Sequence, residues 1–295
     1  MGPRSSPNDG SSDEPEYDNP PISEGINSPE QSRPLRDFFF NLSLVLMAIV
    51  VFFAALELAA RGLAPYIPFH WERSLVGKNL FQSILDSEGE EKQREIRRIA
   101  TAVTEAMDLP AGMELSVFYN PADTINAFAS FGGNIVVFQG LLDILHSEDE
   151  LAMVLAHEVA HVKHRDIAKG LVRAAGLMLL SSGLQSEGAL LEVASRFGLA
   201  GYSRAQESAA DMEAVKALGR VYGHTSGTSE FFRTLAIQVE KRPSDAEAPY
   251  FSGLTASHPD TLYRLKRCND EAARLGIEVK GELTPLPPVL KGNAH

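Results

Sequence analysis

The sequence predicts an α+β fold that is mostly helical, with a small antiparallel sheet and one N-terminal transmembrane helix. Apolar residues recur at helical spacing over much of the chain beyond residue 89, which indicates amphipathic and buried helices. The pair Gly132-Gly133 separates two short extended runs, which is typical of a hairpin. The uncharged residues 38–56 are enough for a helix to cross a bilayer.

The composition indicates an acidic, folded protein. Hydrophobic residues make up 44% of the chain, which is ordinary for a globular core. The net charge of −12 argues against nucleic acid as a partner, because a phosphate backbone needs a concentrated basic surface. A single cysteine, Cys268, excludes an internal disulfide and a cysteine-rich metal site.

Residues 1–36 are rich in serine and acidic residues and hold seven of the 17 prolines. A segment with so few branched apolar side chains cannot bury enough surface to offset the entropy that it loses on ordering. We therefore expect a disordered tail over these residues.

The uncharged stretch 38–56 is interpreted as a membrane anchor within residues 37–60, which makes the lipid bilayer a partner of the chain. Asn41 and Ser43 are its only polar residues. A cleaved signal peptide would need a short basic start, which the acidic segment before the stretch does not offer. A buried core helix is the other alternative. Arginines flank both ends, and Arg36 lies nearest, which favours a cytoplasmic N-terminus and a domain on the non-cytoplasmic side.

A folded domain is expected over residues 75–280, and it starts with an amphipathic helix over residues 89–107. Alternating residues around Val117 and the runs on either side of the glycine pair predict the strands of the small sheet. Prolines near the C-terminus indicate a flexible tail over residues 281–295.

The next helix has a clear start. Ser147 and Glu150 form the S-x-x-E capping-box pattern directly before an apolar run, so a helix should begin here and extend to about His164. Residues 171–184 are also strongly apolar, but they include Arg173 and are too few to cross a bilayer comfortably. We interpret them as a buried helix, with contact to a membrane surface as the alternative.

The capped helix contains the sequence His157-Glu158-Val159-Ala160-His161. Histidines four residues apart project from one face of a helix, so both imidazoles can bind one metal ion. Glu158 lies beside them at an angle that places its carboxylate next to the metal without making it a ligand, where a base for a water molecule belongs. Two histidines and a glutamate are costly to bury in an apolar helix without a partner such as a metal.

The third metal ligand is expected downstream. His164 shares the face of His157 but lies about 10 Å along the axis at about 1.5 Å per residue, so we prefer a role behind the ligands or at the helix end. Glu207 and Asp211 stand at helical spacing, separated by small residues that allow close helix packing. Glu207 would complete a set of two histidines and one glutamate with an open fourth position, and Asp211 could hold an imidazole in its tautomer.

Four separated motifs resemble those of one known family. In chain order they are Asn126-Ala127-Phe128, His157-Glu158-Val159-Ala160-His161, Glu207-Ser208-Ala209-Ala210-Asp211 and Ser257-His258-Pro259. The resemblance covers roughly residues 75–275 and is to the gluzincin metallopeptidases that include the CAAX prenyl endopeptidases and HtpX-type proteases. It implies a zincin-like metallopeptidase domain that binds one Zn²⁺ per chain.

The resemblance also implies roles for single residues. Glu207 would be the third zinc ligand. Asp211 would not bind the zinc itself but would hydrogen-bond to the ligand His157. The segment 126–128 would form an edge strand that pairs with the backbone of a peptide substrate.

A donor to the oxyanion of the transition state is implied as well. His258 would stand near the zinc in this role, supported by Arg264 from the same helix, and Tyr202 is a second candidate for the donor.

These implications lead to a membrane-anchored zinc endopeptidase that acts on proteins or peptides in quality control. Two alternatives stay open. One is a catalytically silent zinc module that binds client proteins through the edge strand, and the other is a latent enzyme in which His258 or another side chain fills the open zinc position. The intact Glu158 argues against the silent module, since a structural site has no use for an unliganded carboxylate there.

Overall fold

A computed structural model of the chain describes part of the sequence. The described residues are 34–75, 87–180, 202–240 and 261–292. The predicted tail up to residue 33 and the motif around His258 lie outside the described residues. The chain divides into two compact units, Met1–Phe52 and Phe53–His295.

Helices dominate the described part of the chain, as the sequence predicts. In order they are α1 (Pro34–Leu63), α2 (Phe69–Leu75), α3 (Ser87–Glu105), α4 (Gln139–Ile144), α5 (Glu148–Lys163), α6 (Asp166–Leu180), α7 (Arg204–Tyr222), α8 (Ser226–Glu240) and α9 (Thr261–Leu275). The strands between α3 and α4 are β1 (Ser116–Asn120), β2 (Ala127–Ser130) and β3 (Asn134–Phe138). The α+β fold class is confirmed.

The sheet has the strand order β1-β3-β2 and is mixed, which corrects the wholly antiparallel sheet expected from the sequence. β2 and β3 form the predicted antiparallel hairpin across Gly132 and Gly133, whose φ angles of 70° and 73° favour glycine. β1 pairs with β3 in parallel. The glycine turn is a local signal for the hairpin. The partner of β1 depends on the path of residues 121–126, which no local sequence pattern predicts.

Helix α5 is the central element of the domain. Its predicted capping box is present, because Glu150 N donates to Ser147 Oγ at 3.2 Å and Ser147 N donates to Glu150 Oε2 at 2.8 Å. His164 forms the C-cap, so the helix ends where the sequence predicts. Every residue from Glu148 to Val162 is buried, and α5 packs against α3, α7, α8 and β2. The helix is therefore a rigid support for the side chains on it.

Two helices differ from the sequence prediction, α1 in its first residue and α6 in its burial. Helix α1 begins at Pro34, so residues 34–36 are helical and do not belong to a tail. Helix α6 covers the predicted apolar helix up to residue 180, but Arg173 is only half-buried and forms an ion pair with Glu57 at 2.8 Å. Among residues 171–176 only Ala174 is buried, so this part of α6 is not the buried helix that the sequence predicts.

Residues 281–292 pack against the domain, which corrects the predicted tail over residues 281–295 for this part. Leu290 is fully buried, and Lys291 Nζ donates to the carbonyl oxygen of Leu142 at 3.2 Å. Prolines restrict the unfolded backbone, so a proline-rich strap loses little entropy when it orders against a surface. The abundance of proline alone therefore does not indicate disorder.

Candidate metal centre

Two histidines on α5 lie at the centre of a buried site. The side chains of His157 and His161 are one turn apart on the same face, and the residues are 5% and 0% exposed. Their Nε2 atoms are 3.1 Å apart. Both nitrogens can therefore reach one point, as the spacing of four residues predicts.

Glu207 brings a carboxylate to the same point from the first turn of α7. Its Oε2 lies 3.5 Å from His157 Nε2, and its Oε1 lies 3.4 Å from His161 Nε2. A capping box at Ser203 fixes the start of α7, which packs along α5. We call His157, His161 and Glu207 the metal triad, because these three residues could hold a metal ion.

Two further carboxylates orient the imidazoles. Asp211 Oδ1 lies 3.0 Å from His157 Nδ1, and Asp166 Oδ2 lies 2.9 Å from His161 Nδ1. A carboxylate at Nδ1 fixes the tautomer whose Nε2 can bind a metal. The sequence predicts Asp211 but misses Asp166, which starts α6. A histidine that binds a metal usually needs a partner for its other ring nitrogen. A search for such a partner of His161 could have identified Asp166.

The carboxylates make the site attractive to positive charge. Burial disfavours the protonated form of His157, but hydrogen bonds to Asp211 and Glu207 outweigh burial and raise its pKa to about 9. Burial also disfavours the charged form of Asp166, yet the hydrogen bond with His161 helps to lower its pKa to about 2. The surroundings of His157 therefore favour a positive charge at this imidazole.

The donor set of the metal triad fits zinc. Bonds of about 2.0–2.2 Å in a tetrahedral zinc site place neighbouring ligand atoms about 3.3–3.6 Å apart. The separations of 3.1, 3.4 and 3.5 Å within the triad are close to that range. Two imidazoles and one carboxylate also form a ligand set that catalytic zinc sites use.

Arg264, on α9, neutralises part of the negative charge. Its Nη1 lies 3.0 Å from Glu207 Oε2, and its Nε and Nη2 donate to Asp211 at 2.8 and 2.7 Å. Burial raises the pKa of Asp211, but the hydrogen bonds from Arg264 and His157 lower it to about 2. The sequence predicts Arg264 as a support for His258. Arg264 contacts the two carboxylates, and its Nη2 also lies 3.4 Å from His157 Nδ1. Because His258 lies outside the described residues, its support by Arg264 stays a prediction.

Glu158 lies beside the metal triad without belonging to it. The residue is fully buried, and its Oε2 accepts a hydrogen bond from Ala129 N of β2 at 2.8 Å. The strand therefore fixes the direction of this carboxylate. Glu158 is not one of the three residues that could hold a metal ion, and its role as the base stays a prediction.

Among the strands of the described residues, β2 lies at an edge of the sheet. Phe138 N donates to Asn126 O at 3.1 Å. Because backbone groups alternate along a strand, Phe128 also pairs with β3, and Ala127 and Ala129 turn their backbone groups away from β3. Both alanines are fully buried. Of the three residues predicted to bind substrate, Ala127 is thus the one whose backbone groups point away from β3.

Tyr202 directly precedes the start of α7 and contacts the site. Its ring stacks on the imidazole of His161, with 3.7 Å between the ring centroids and 14° between the planes. Burial and the neighbouring carboxylates raise the pKa of its hydroxyl well above the usual value, so the hydroxyl stays protonated and can donate. The structure therefore brings this candidate donor to the metal triad. His164, by contrast, caps α5.

Residues 90–272 match the model of Peptidase family M48. The matched range contains most of α3, the sheet, and the helices that provide the metal triad. It is more than half of the chain, so the likeness is not confined to the motif on α5.

Curated relatives show the same likeness. A Protease HtpX homolog from Salinibacter ruber is 30% identical over 190 residues, covering 52% of this chain and 67% of that protein. Another from Thermococcus sibiricus is 29% identical over 199 residues, covering 53% and 68%. A Beta-barrel assembly-enhancing protease from Yersinia pestis is 51% identical over 49 residues, covering 17% and 10%. The chain thus spans only a small part of the length of the assembly-enhancing relative.

Proposed function

Because this chain belongs to peptidase family M48, we propose that it is a membrane-anchored endopeptidase that uses one zinc ion to hydrolyse peptide bonds of protein substrates. The observation that carries the proposal is the buried metal triad, with Glu158 beside it and hydrogen-bonded to an edge strand. A metal-binding group, a base and a strand edge for a peptide backbone are the three parts that such a reaction needs. Hydrolysis of unfolded casein that a chelator abolishes tests the proposal.

The substrate would bind by strand addition. An extended peptide laid along the edge of β2 would pair with the backbone groups of Ala127 and with the carbonyl oxygen of Ala129. Both alanines are fully buried in the structure, so the substrate must displace what covers them. Ala129 N also donates to Glu158, so the peptide passes directly beside that carboxylate. Backbone pairing depends little on substrate side chains, which favours extended or unfolded segments over one particular sequence.

Hydrolysis then requires that a proton move from a water molecule to the leaving nitrogen of the peptide bond. Zinc, when bound, supplies Lewis-acid polarisation of the scissile carbonyl and makes a water molecule acidic enough to lose a proton near neutral pH. Glu158 takes that proton and passes it to the leaving nitrogen. His258 or Tyr202 donates to the developing oxyanion, and Tyr202 is the one whose ring stacks on His161.

Asp166→Asn should lower the affinity for zinc by about 10- to 100-fold, because a neutral amide holds the imidazole of His161 less firmly than a carboxylate does. Competition with a chromogenic chelator measures the change. Asp270→Asn is the matched control, since Asp270 is exposed on α9, and it should bind zinc as the wild type does. An unchanged affinity in Asp166→Asn would show that His161 needs no carboxylate partner.

Helix α1 supports the membrane anchor. The described residues include one helix long and apolar enough to cross a membrane, Leu35–Tyr66, with a mean hydropathy of 2.6 in its most apolar part. That part is exposed, whereas the core helix of a soluble domain would be buried. The protein should therefore stay with membranes through alkaline carbonate washing. Release under that treatment would show peripheral attachment instead.

The side of the membrane and the cellular role are part of the same proposal. Arg36 before the anchor favours a catalytic domain on the non-cytoplasmic side, so a reporter fused after residue 75 should be active there. Cytoplasmic reporter activity would reverse the assignment. A role in protein quality control is supported by the resemblance to HtpX-type proteases and by an edge strand suited to unfolded chains.

A further inference from the structure

The chain that follows the apolar stretch has a cluster of exposed apolar side chains. Among the described residues from 57 to 292, the large apolar residues that are more than half exposed are Leu58, Leu63, Tyr66, Trp71 and Tyr263. The first four, which we call the juxtamembrane cluster, lie within residues 58–71. Exposed apolar side chains concentrated in one short segment mark an interaction surface.

Two backbone carbonyl groups of this segment accept hydrogen bonds from a side chain of the protein. Arg165 Nη2 donates to the carbonyl oxygens of Ala64, at 3.3 Å, and of Ile67. The same guanidinium forms an ion pair with Glu72 at 2.7 Å, and both side chains are largely buried. Carbonyl groups that are paired within the protein can enter a region poor in water at little cost. The segment is thus suited to contact with lipid.

We propose that the juxtamembrane cluster, which runs from the last turns of α1 into α2, lies in the interfacial region of the bilayer and extends the membrane contact made by residues 38–56. Tyr66 and Trp71 suit this region, because each ring has an apolar body and a polar group. Lipid is favoured over a protein partner by continuity, since Leu58 follows the uncharged stretch ending at Leu56 by two residues. The inference rests on the proposed membrane anchor.

The contact would also fix the position of the substrate-binding edge. Glu72 Oε2 accepts a hydrogen bond from Gly132 N at 3.3 Å, and a side chain at Gly132 would collide with the backbone of Arg73. Helix α2 therefore packs tightly on the turn that ends β2. Gly132 is three residues from Ala129, at most about 10 Å of extended chain. Lipid contact at Trp71 would thus hold strand β2 close to the bilayer surface.

Trp71 is the only tryptophan of the chain, so its fluorescence tests the proposal directly. The full-length protein is placed in phosphatidylcholine vesicles that contain lipids brominated either near the headgroup or deep in the acyl chain. Trp71 should be quenched most by the shallow bromine and only weakly by aqueous iodide. Strong quenching by iodide with no quenching by either brominated lipid would overturn the proposal.

Two variants in a Trp71→Phe background give matched positions. Leu46→Trp, within the apolar stretch, should be quenched most by the deep bromine, and Ile237→Trp, on α8, by neither lipid. Loss of lipid quenching at residue 46 would refute the anchor itself. Quenching at residue 46 without quenching of Trp71 would refute only the interfacial contact. Equal quenching at residues 71 and 237 would show unspecific adsorption and also contradict the proposal.

Discussion

Glu158→Gln should lower the rate of casein hydrolysis by about 10²- to 10⁴-fold while the zinc content stays unchanged. Glutamine has nearly the same size and can still accept the hydrogen bond from Ala129 N, but its amide cannot take a proton from water. Zinc should remain because Glu158 is not part of the metal triad. Initial rates and metal content, measured on one preparation, give both quantities.

Glu148→Gln is the matched control for this variant. Glu148 also lies on α5 and is buried, but its carboxylate pairs with Arg98 and accepts from Tyr222 at the far end of the helix. It should keep the activity of the wild type. Equal activity of Glu158→Gln and the wild type would show that Glu158 is not the general base.

Glu207→Ala should remove both the metal and the activity. Without this carboxylate only His157 and His161 remain of the metal triad, which is too few ligands for a stable zinc site. Added zinc should then raise the unfolding temperature of the wild type but not of the variant. A ligand that binds only the folded state stabilises it by about 2.7 kcal/mol at 100 times its Kd.

The alanine variant also removes one carboxylate from the buried Arg264, which could weaken the fold. Glu207→Gln separates the two effects, because an amide can still accept from Arg264 but is a poor zinc ligand. It should unfold in one cooperative transition like the wild type and still lack zinc. Glu213→Gln, which changes a carboxylate on α7 that pairs with Lys163, should keep the metal. Full zinc content in both Glu207 variants would contradict the ligand assignment.

The local parts of the site follow from the sequence. The capping box at Ser147 and the spacing of His157 and His161 depend only on residues within one helix, and helix geometry is nearly invariant. Glu207 is distant in sequence, but the need of zinc for a third ligand directs attention to it. The ligand requirement of zinc therefore identifies Glu207, although the sequence does not show which helices pack together.

The contacts that depend on which helices and strands pack together could not be predicted from the sequence. Asp166 reaches His161 because the turn after α5 directs the start of α6 back to the ring, and Arg165 adopts a positive φ of 60° in that turn. Ala129 faces Glu158 because the hairpin packs on α5 in one register. The parallel pairing of β1 has the same origin, since its partner is fixed by tertiary packing and not by its own residues.

The two alternatives to an active protease differ from it in measurable ways. A silent zinc module would bind one zinc ion per chain and capture unfolded casein without cleaving it. A latent enzyme would bind zinc, show little basal hydrolysis, and become more active when the side chain that fills the open zinc position is replaced. His258→Ala distinguishes this case, because loss of an oxyanion donor should lower the rate and loss of a blocking ligand should raise it.

The most direct test of the central claim is a zinc titration of the metal-depleted protein with hydrolysis of fluorescent casein as the readout. If the metal triad holds the catalytic ion, activity should rise from near zero and reach a plateau at one equivalent of zinc per chain. The Glu207→Gln variant should show no rise over the same range. Hydrolysis by the metal-depleted protein at the rate of the zinc-loaded protein would contradict the account.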